Sequence, residues 1–563
     1  MSALRRTRGA AALLLILALL AVAGCGGGGG DTGGAGDDGA QTGPSTGETP
    51  AETPAAGDKG GTIVIGRTGG VDSLDPARTV SGPSHEVFRL IFDTLVRRDP
   101  DGGFEGELAE SWEASDDGLT WTFHLRQDRV FSNGNPVNAD AVVFTFERML
   151  DPDQAAPAAG FLGPISAVEK VDDYTVRFVM GEPFALLLDN LAVEYFGIVD
   201  PQAVEELGED FGRNPVGSGP FVLKEWVTGE RIVLEPNPLH KTSRSDVENQ
   251  GPPHLDQLIF REIPQVETQI AGLRSGEINL ITNMPAEQAV TFENDPNFQV
   301  MRGPGGINIA YLSFAMVPAA DGGTNTFKPP FDDLRVRQAV AHAIDADTIL
   351  ETVLYGFGVR NKTPLPVGVF GHDPSLGDLV PDYDPERAGQ LLDEAGWTMG
   401  SDGVRRKDGR PLAINFWSLN LGSAPQIAQI IQNQLEQVGF DVEITSLDVA
   451  TYVSQAASGN LDLEMLDQGW SAPNILNIMT SMGWALGLYN NPELQDLLTR
   501  AQSEVDDAQR AALYRQAQQV MLEDMALVPL YTGTVPMVAR SEVQGIKFDT
   551  FGQPLFHDAY VAP

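Results

Sequence analysis

The second half of the chain contains a strand, a helix and a strand in direct succession, and this order leaves few folds open. Residues 412–418 are strand-like, 425–438 have the pattern of a helix that stops at Gly439, and 441–445 are again strand-like. Such a unit implies parallel strands joined by a right-handed crossover. We therefore expect an α/β fold in this region.

The first half shows a different period. Residues 111–126 and 168–180 alternate apolar and polar side chains on either side of Asp pairs, the pattern of antiparallel hairpins. The alternation places His124 on a solvent-facing side of its strand. The Asp pairs are interpreted as turn residues and not as catalytic carboxylates.

Two helices carry clear signals at their ends. Asn138 is a good N-cap for a helix over 139–150. Asp384 and Pro385 begin a second helix that Gly396 ends. These boundaries follow from local backbone chemistry alone.

The N-terminus resembles an export signal. Arg5, Arg6 and Arg8 precede a 14-residue apolar run, which is too short to span a bilayer but suits a secretory signal peptide. The junction 22–25 resembles the bacterial lipobox, in which Cys25 becomes a lipidated first residue. A soluble export signal cut nearby, or a buried thiol, is the alternative. We expect a signal peptide at 1–24 and an extracytoplasmic, membrane-anchored protein.

Residues 25–59 are predicted to be the lipidated Cys and a disordered tether. Positions 26–58 hold only small and polar residue types, so too little apolar surface is available to offset the entropy of ordering. Such a coil spans roughly 30 Å. A formal GxGxxG at 34–39 lacks the flanking strand and helix of a dinucleotide site.

Composition excludes several classes of protein. The formal charge is -41, from 37 Lys and Arg against 78 Asp and Glu, which disfavours a nucleic acid partner. One cysteine permits neither an intrachain disulfide nor a thiolate zinc site. The length favours more than one domain.

Enzyme motifs are missing from the sequence. Residues 217–219 lack the first glycine of GxSxG, His85 and Glu86 have no second histidine four positions on, and no P-loop occurs. The seven histidines are scattered. We expect no catalytic site, no metal and no cofactor, with an exported hydrolase as the alternative of a different class.

Several ordered blocks carry a family resemblance. They are LAESW at 108–112, DDGLT at 116–120, FHLR at 123–126, FSNG at 131–134, NPVGSGPF at 214–221 and FDDLRVRQA at 331–339. Together they resemble the family 5 extracellular solute-binding proteins, which include dipeptide, oligopeptide and nickel binders of ABC importers. The resemblance runs from about residue 60 to the end of the chain.

The resemblance implies a periplasmic-binding-protein-like α/β fold of two lobes joined by two crossing segments, with an extra subdomain in the first lobe. It divides the chain into a first lobe at 60–100, 216–305 and 529–563, an inserted subdomain at 101–215, and a second lobe at 306–528.

The resemblance also implies ligand contacts. Gly469, Trp470 and Ser471 match a Gly-Trp motif of oligopeptide binders, but Pro473 stands where those binders have an aspartate that pairs with the peptide's ammonium group. A proline cannot neutralise that charge, so the usual peptide anchor is missing. The alternative for Trp470 is a core tryptophan at a strand end.

Further contacts implied by the resemblance are Tyr531, Phe161, Ser84 and His85, and simple hinge packing is the alternative for Tyr531. The function expected is a monomeric, lipid-anchored binding component that closes over a solute and docks on an ABC permease. An oligopeptide is the expected solute, and an oligosaccharide or another polar solute is the alternative.

Overall fold

The computed structural model describes residues 60–563, except 101, 322, 456–459 and 482–485. The signal peptide, Cys25 and the tether predicted for residues 1–59 lie outside the described residues. Within the described part, two large sheets and one smaller sheet organise the fold.

The first large sheet has seven strands drawn from distant parts of the chain. Its strands Thr62–Arg67 and Gln257–Glu262 are parallel, as are Thr62–Arg67 and Leu280–Ile281. The remaining pairs are antiparallel. The spatial order is Phe298–Met301, Met537–Arg540, Leu280–Ile281, Thr62–Arg67, Gln257–Glu262, Arg231–Pro236 and Phe221–Val227.

The second large sheet has six strands. Their order is Gly358–Arg360, Leu527–Gly533, Asn308–Phe314, Leu463–Gly469, Ala413–Leu419 and Asp441–Leu447. The last three strands are mutually parallel, and helix Ala424–Gln437 connects the final two. The predicted strand–helix–strand unit is therefore confirmed. Separate apolar clusters cover the two faces of this sheet.

The smaller sheet has four antiparallel strands, Ala109–Ala114, Thr120–Leu125, Thr175–Met180 and Ile165–Asp172. Both predicted hairpins are confirmed, and His124 is exposed on its strand. The remaining short strands pair as Val96–Arg98 with Phe104–Gly106, Met316–Val317 with Thr326–Phe327, Thr398–Met399 with Arg405–Lys407 and then Arg410–Pro411, Val543–Gln544 with Tyr560–Val561, and Lys547–Phe548 with Pro554–Leu555.

Helices pack around the sheets, and their ends follow the sequence signals. Asn138 accepts a hydrogen bond from the Ala141 backbone, and Asp384 caps its helix in the same way. The α-helices are Gly82–Ile91, Ala139–Leu150, Leu187–Leu191, Pro201–Leu207, Val266–Ser275, Ala286–Ala289, Leu334–Ala343, Ala346–Thr352, Pro385–Glu394, Ala424–Gln437, Val449–Gln455, Ile475–Ser481, Pro492–Ser503 and Asp507–Glu523.

The chain passes between the two large sheets twice. The first crossing, 302–307, follows strand Phe298–Met301, and the second, 534–536, precedes strand Met537–Arg540. The first crossing lies against the end of strand Leu527–Gly533, where the second crossing begins, since a Cβ added to Gly306 would lie 2.4 Å from the Gly533 carbonyl oxygen. The molecule is thus a two-lobed α/β fold with a smaller antiparallel sheet as an additional subdomain.

Candidate functional site

A cavity of about 360 Å³ lies where the two crossings run between the lobes. Residues of both crossings and of both large sheets form its wall. A molecule inside the cavity would therefore contact both lobes. Its charged and polar lining residues include Glu86, Arg89, Glu194, Arg244, Asn308, Asp467, Tyr531 and His557.

Helix Gly82–Ile91 forms part of the wall from the first lobe. Its residues Glu86, Arg89 and Leu90 line the cavity. The Arg89 guanidinium donates to Glu194 Oε1 at 3.1 Å and to Asp549 Oδ2 at 2.5 Å. This cation is therefore neutralised from two sides before any ligand arrives.

The acids near Arg89 are also paired. Burial alone would raise the pKa of Glu194, but Arg89 and a hydrogen bond from His85 outweigh burial and lower it to about 2. Glu86 lies 3.4 Å from Arg67. Near this cluster, two guanidinium nitrogens of Arg244 donate to the carboxylate of Asp246 at 2.8 and 2.6 Å.

The wall from the second lobe presents Asp467 and Tyr531. In the sheet, Ala310 is directly opposite Asp467 on one neighbouring strand and opposite Tyr531 on the other. The three side chains therefore share a face, with the small Ala310 in the middle. Asn308, two residues before Ala310, also lines the cavity.

Asp467 is an unusual carboxyl group. Burial raises its pKa to about 6, and a hydrogen bond from the Asn308 side chain opposes this rise. Among the residues that the structure describes, none forms a hydrogen bond with its buried Oδ1 atom. Burial and the negative charge of Asp467 in turn raise the pKa of Tyr531 well above its ordinary value. Shifted titratable groups of this kind concentrate at functional sites.

The lobes also touch at a second place, beside the cavity. The rings of Phe161 and Trp470 lie 5.1 Å apart, and an Arg98 Nη2 donates to the Ser471 carbonyl at 3.0 Å. Arg510 donates to the Ala185 carbonyl at 2.7 Å. These contacts join residues 60–215 to residues 470–510.

A buried carboxylate lies at the centre of this second contact. Asp189 forms an ion pair with Arg98, and its Oδ2 lies 3.9 Å from Arg510 Nη1. Arg98 stacks over Phe104 at 4.4 Å and lies 6.0 Å from the ring of Phe551, which lines the cavity.

The structure places the residues expected to contact ligand in three groups. Tyr531 is in the cavity wall. Phe161, Trp470 and Ser471 meet at the second contact between the lobes, next to Gly469 at the end of its strand. Trp470 is partly buried and packs at the edge of an apolar cluster, so it is more exposed than a core tryptophan.

Ser84 and His85 lie on the helix that supplies the cavity wall but do not line the cavity themselves. The Ser84 side chain is fully buried, and its hydroxyl donates to Asp72 Oδ1 at 2.6 Å. Burial would raise the pKa of Asp72, but hydrogen bonds from Ser84, Thr79 and Ser81 lower it. His85 bonds Glu194 at 3.0 Å and stacks 4.4 Å from Tyr195.

Sequence reasoning missed most of the cavity wall. Arg89, Arg244, Asn308, Asp467, Phe551 and His557 were not anticipated. For Asp467 a signal existed, because Leu463, Met465 and Asp467 fall on the same face of one strand and the first two belong to an apolar cluster. A carboxylate at an apolar position indicates a special role.

Among the described residues, no group of three or more His, Cys, Asp or Glu side chains is arranged to hold a metal ion. Within that same part of the chain, no helix combines the length and apolar character needed to cross a membrane.

Comparisons with known proteins agree with this architecture. A model of the bacterial extracellular solute-binding proteins, family 5 Middle, matches residues 103–486. Heme-binding protein A of Haemophilus influenzae is 29% identical over 528 residues, 87% of this chain and 90% of the relative. The probable D,D-dipeptide-binding periplasmic protein DdpA of Escherichia coli is 28% identical over 517 residues, 88% and 93% of the two chains.

A solved structure shows the same fold. NikA from Brucella suis, in complex with Fe(III)-EDTA, has a TM-score of 0.75 and 27% identity, and the match covers 89% of this chain and 99% of that one.

Proposed function

Because the chain belongs to the bacterial extracellular solute-binding proteins of family 5, we propose that it captures a small solute between two closing lobes and delivers it to the permease of an ABC importer. The relatives are binding proteins. The chain is accordingly a binding protein and not the exported hydrolase that sequence patterns left as an alternative.

The observation that carries the proposal is the cavity at the two crossings. Its volume of about 360 Å³ is at the small end of the range of roughly 300 to 1,000 Å³ for ligand pockets. Both lobes contribute wall residues. A solute held there would contact both lobes only when they are close together, so it would favour the closed state.

The proposed division of the chain follows the sheets. The first lobe comprises 60–100, 216–305 and a C-terminal part, the inserted subdomain 101–215, and the second lobe begins at 306. Strand Leu527–Gly533 pairs within the six-stranded sheet. We therefore place the second crossing after Gly533, a few residues beyond the 528/529 boundary expected from sequence.

A short peptide is the proposed solute. The chain lacks the usual aspartate at position 473, and the relatives are named for different ligands, a heme and a D,D-dipeptide. An oligosaccharide or another polar solute is therefore the second candidate. The small cavity favours a short molecule in either case.

The proposal can be tested without knowing the solute. The protein would be purified from its native host, unfolded to release bound molecules, and the extract identified by mass spectrometry. Small-angle scattering of the emptied and refolded protein, with and without the extract, should show a smaller radius of gyration on addition. A protein that carries no small molecule and does not close on any fraction would contradict the proposal.

Lipid anchoring at Cys25 is part of the same proposal, motivated by the lipobox-like junction. Wild-type protein should fractionate with membranes and carry an acyl modification at Cys25, whereas Cys25→Ala should not be acylated. Residues 60–563, produced without the tether, should fold as a monomer and bind the same extract. Unmodified Cys25 in the membrane fraction would contradict anchoring.

A further inference from the structure

Among the described residues, one charged side chain of the cavity wall lacks a counter-charge. Arg89, Glu194, Glu86 and Arg244 all have oppositely charged partners within the protein. Asp467 forms no ion pair within the described residues, and one of its carboxyl oxygens has no hydrogen-bond partner. Leaving such a group in a low-dielectric site is costly unless something compensates it.

The groups that face Asp467 cannot supply that compensation. Asn308 donates a hydrogen bond but carries no charge. Tyr531 is a neutral hydroxyl whose ionisation is suppressed. Elsewhere in the cavity wall, burial and neighbouring positive groups hold the pKa of His557 well below its ordinary value, so that imidazole stays neutral. The two wall arginines, Arg89 and Arg244, are already committed to their own acids.

From this arrangement we propose that Asp467 binds a protonated amine of the solute, which makes the solute of this importer an amine-bearing molecule. The inference rests on the proposed binding function and specifies the chemistry of its ligand. It assigns the anchor to a strand position six residues before Pro473, where the sequence resemblance places no ligand contact.

The surroundings favour an amine over other cations. A metal ion would need several ligands, and no suitable group of side chains is present among the described residues. A guanidinium prefers two free carboxylate oxygens for its paired hydrogen bonds, whereas the bond from Asn308 already occupies part of this carboxyl group. An ammonium group is compact and donates in three directions, which suits one carboxylate beside the small Ala310.

Two kinds of solute could supply the protonated amine that Asp467 binds. They are a peptide, through its α-amine, and a non-peptide molecule that carries an amine. The probes are therefore trialanine, N-acetyl-trialanine and 1,5-diaminopentane, titrated calorimetrically into emptied and refolded full-length protein. The variant is Asp467→Asn, which keeps the shape of the side chain. The matched control is Glu443→Gln, an exposed acid on another strand of the same sheet.

We expect one of the two amine probes to bind the wild type and the Glu443→Gln control equally. Asp467→Asn should weaken that binding by at least about tenfold, the scale of a lost charge-assisted hydrogen bond. If trialanine is the ligand, its N-acetylated form should bind the wild type more weakly by a similar factor. The two forms should bind Asp467→Asn with the same affinity, because the ammonium group has already lost its partner. Binding of the diamine alone would support the anchor with a non-peptide solute.

Three results would overturn the inference. They are equal binding of trialanine and its acetylated form by the wild type, unchanged affinity of Asp467→Asn for the amine that binds, and failure of the wild type to bind either amine. An amine-free solute in the extract from the native protein would also overturn it, yet closure on that solute would leave the proposed binding function intact. The two proposals therefore fail separately.

Discussion

At the scale of single residues, the described residues of the cavity wall combine paired charges with one carboxylate that forms no ion pair. Arg89 is held between Glu194 and Asp549, which fixes the first lobe's wall in place. No described residue pairs with Asp467 in this way, and burial raises its pKa to about 6. A binding site often contains a group that costs stability in the empty protein and is compensated by the ligand.

The raised pKa of Asp467 predicts how the stability of the empty protein changes with pH. The pKa of Asp467 is higher in the fold than the ordinary value of about 3.9, so its contribution to stability is present below about pH 4 and is lost as the pH rises through about 6. Asp467→Asn should therefore unfold with a free energy about 1 to 3 kcal/mol higher than wild type near pH 8. Urea unfolding near pH 8 and near pH 4 checks this.

The difference between Asp467→Asn and wild type should disappear near pH 4, because both side chains are then neutral. Glu443→Gln should match wild type at both pH values. A gain of equal size at both pH values would point to altered packing and not to the unpaired charge.

Trp470 permits a second prediction at this scale. Its ring meets Phe161 across the lobes, and an aromatic pair of this kind contributes about 0.5 to 1.5 kcal/mol. Trp470→Ala should weaken binding of the extracted solute by about three- to tenfold, with a small change in the unfolding temperature of the empty protein. Combining it with Phe161→Ala should cost less than the sum of the single changes.

Calorimetry on the four proteins of this cycle measures the coupling. Should Trp470→Ala instead leave affinity unchanged and cost about 3 to 5 kcal/mol in unfolding of the empty protein, Trp470 would be a core residue.

At the scale of elements, helices and strands hold the side chains of the cavity wall in position. Helix Gly82–Ile91 presents Glu86 and Arg89 to the cavity while Ser84 and His85 bond its neighbours. Strand Leu463–Gly469 presents Asp467 from a face that is otherwise apolar. Each element is fixed by caps and buried side chains, so its polar residues are held in a defined direction.

The inserted subdomain offers a direct test of such a cap. Asn138 accepts a hydrogen bond from the Ala141 backbone at 3.1 Å at the start of helix Ala139–Leu150. Asn138→Ala should lower the free energy of unfolding by about 1 kcal/mol, whereas Asn138→Asp should keep most of the wild-type stability, because Asp is also a good N-cap residue. Urea unfolding of the two variants measures the difference, and equal losses would mean that the cap is not the cause.

At the scale of the whole molecule, the lobes are joined by the two crossings and by the contact around Asp189. Arg98 and Arg510 approach this carboxylate from opposite lobes, and Arg510 also donates to Ala185. An arrangement of this kind exists only when the lobes are together. It therefore contributes to the equilibrium between open and closed forms.

We expect Arg510→Met to shift that equilibrium toward the open form, because Ala185 and Asp189 lose a partner across the interface. Affinity for the extracted solute should fall by about tenfold, and the empty variant should have a larger radius of gyration by small-angle scattering. Arg515→Met, on the same helix Asp507–Glu523 but at an exposed position, is the control. Equal affinities of both variants would exclude a role of Arg510 in closure.

Much of the local structure was determined by the sequence itself. The caps at Asn138 and Asp384, the hairpins and the parallel strand–helix–strand unit depend on side-chain period and backbone chemistry within a few residues. Ordered sequence blocks also indicated the family and, through it, the two lobes. Of the ligand contacts expected from the sequence, Tyr531 lies in the cavity, whereas Ser84 and His85 support its wall.

The composition of the cavity was decided by the tertiary structure. Arg89, Asp467 and Phe551 lie far apart in the sequence, and no local pattern shows that they face one space. Whether a charge is paired also depends on such distant neighbours, because Arg89 meets Asp549 while no described residue forms an ion pair with Asp467. Electrostatic environment is a property of three-dimensional proximity, and the sequence alone therefore could not distinguish the neutralised arginine from the unpaired carboxylate.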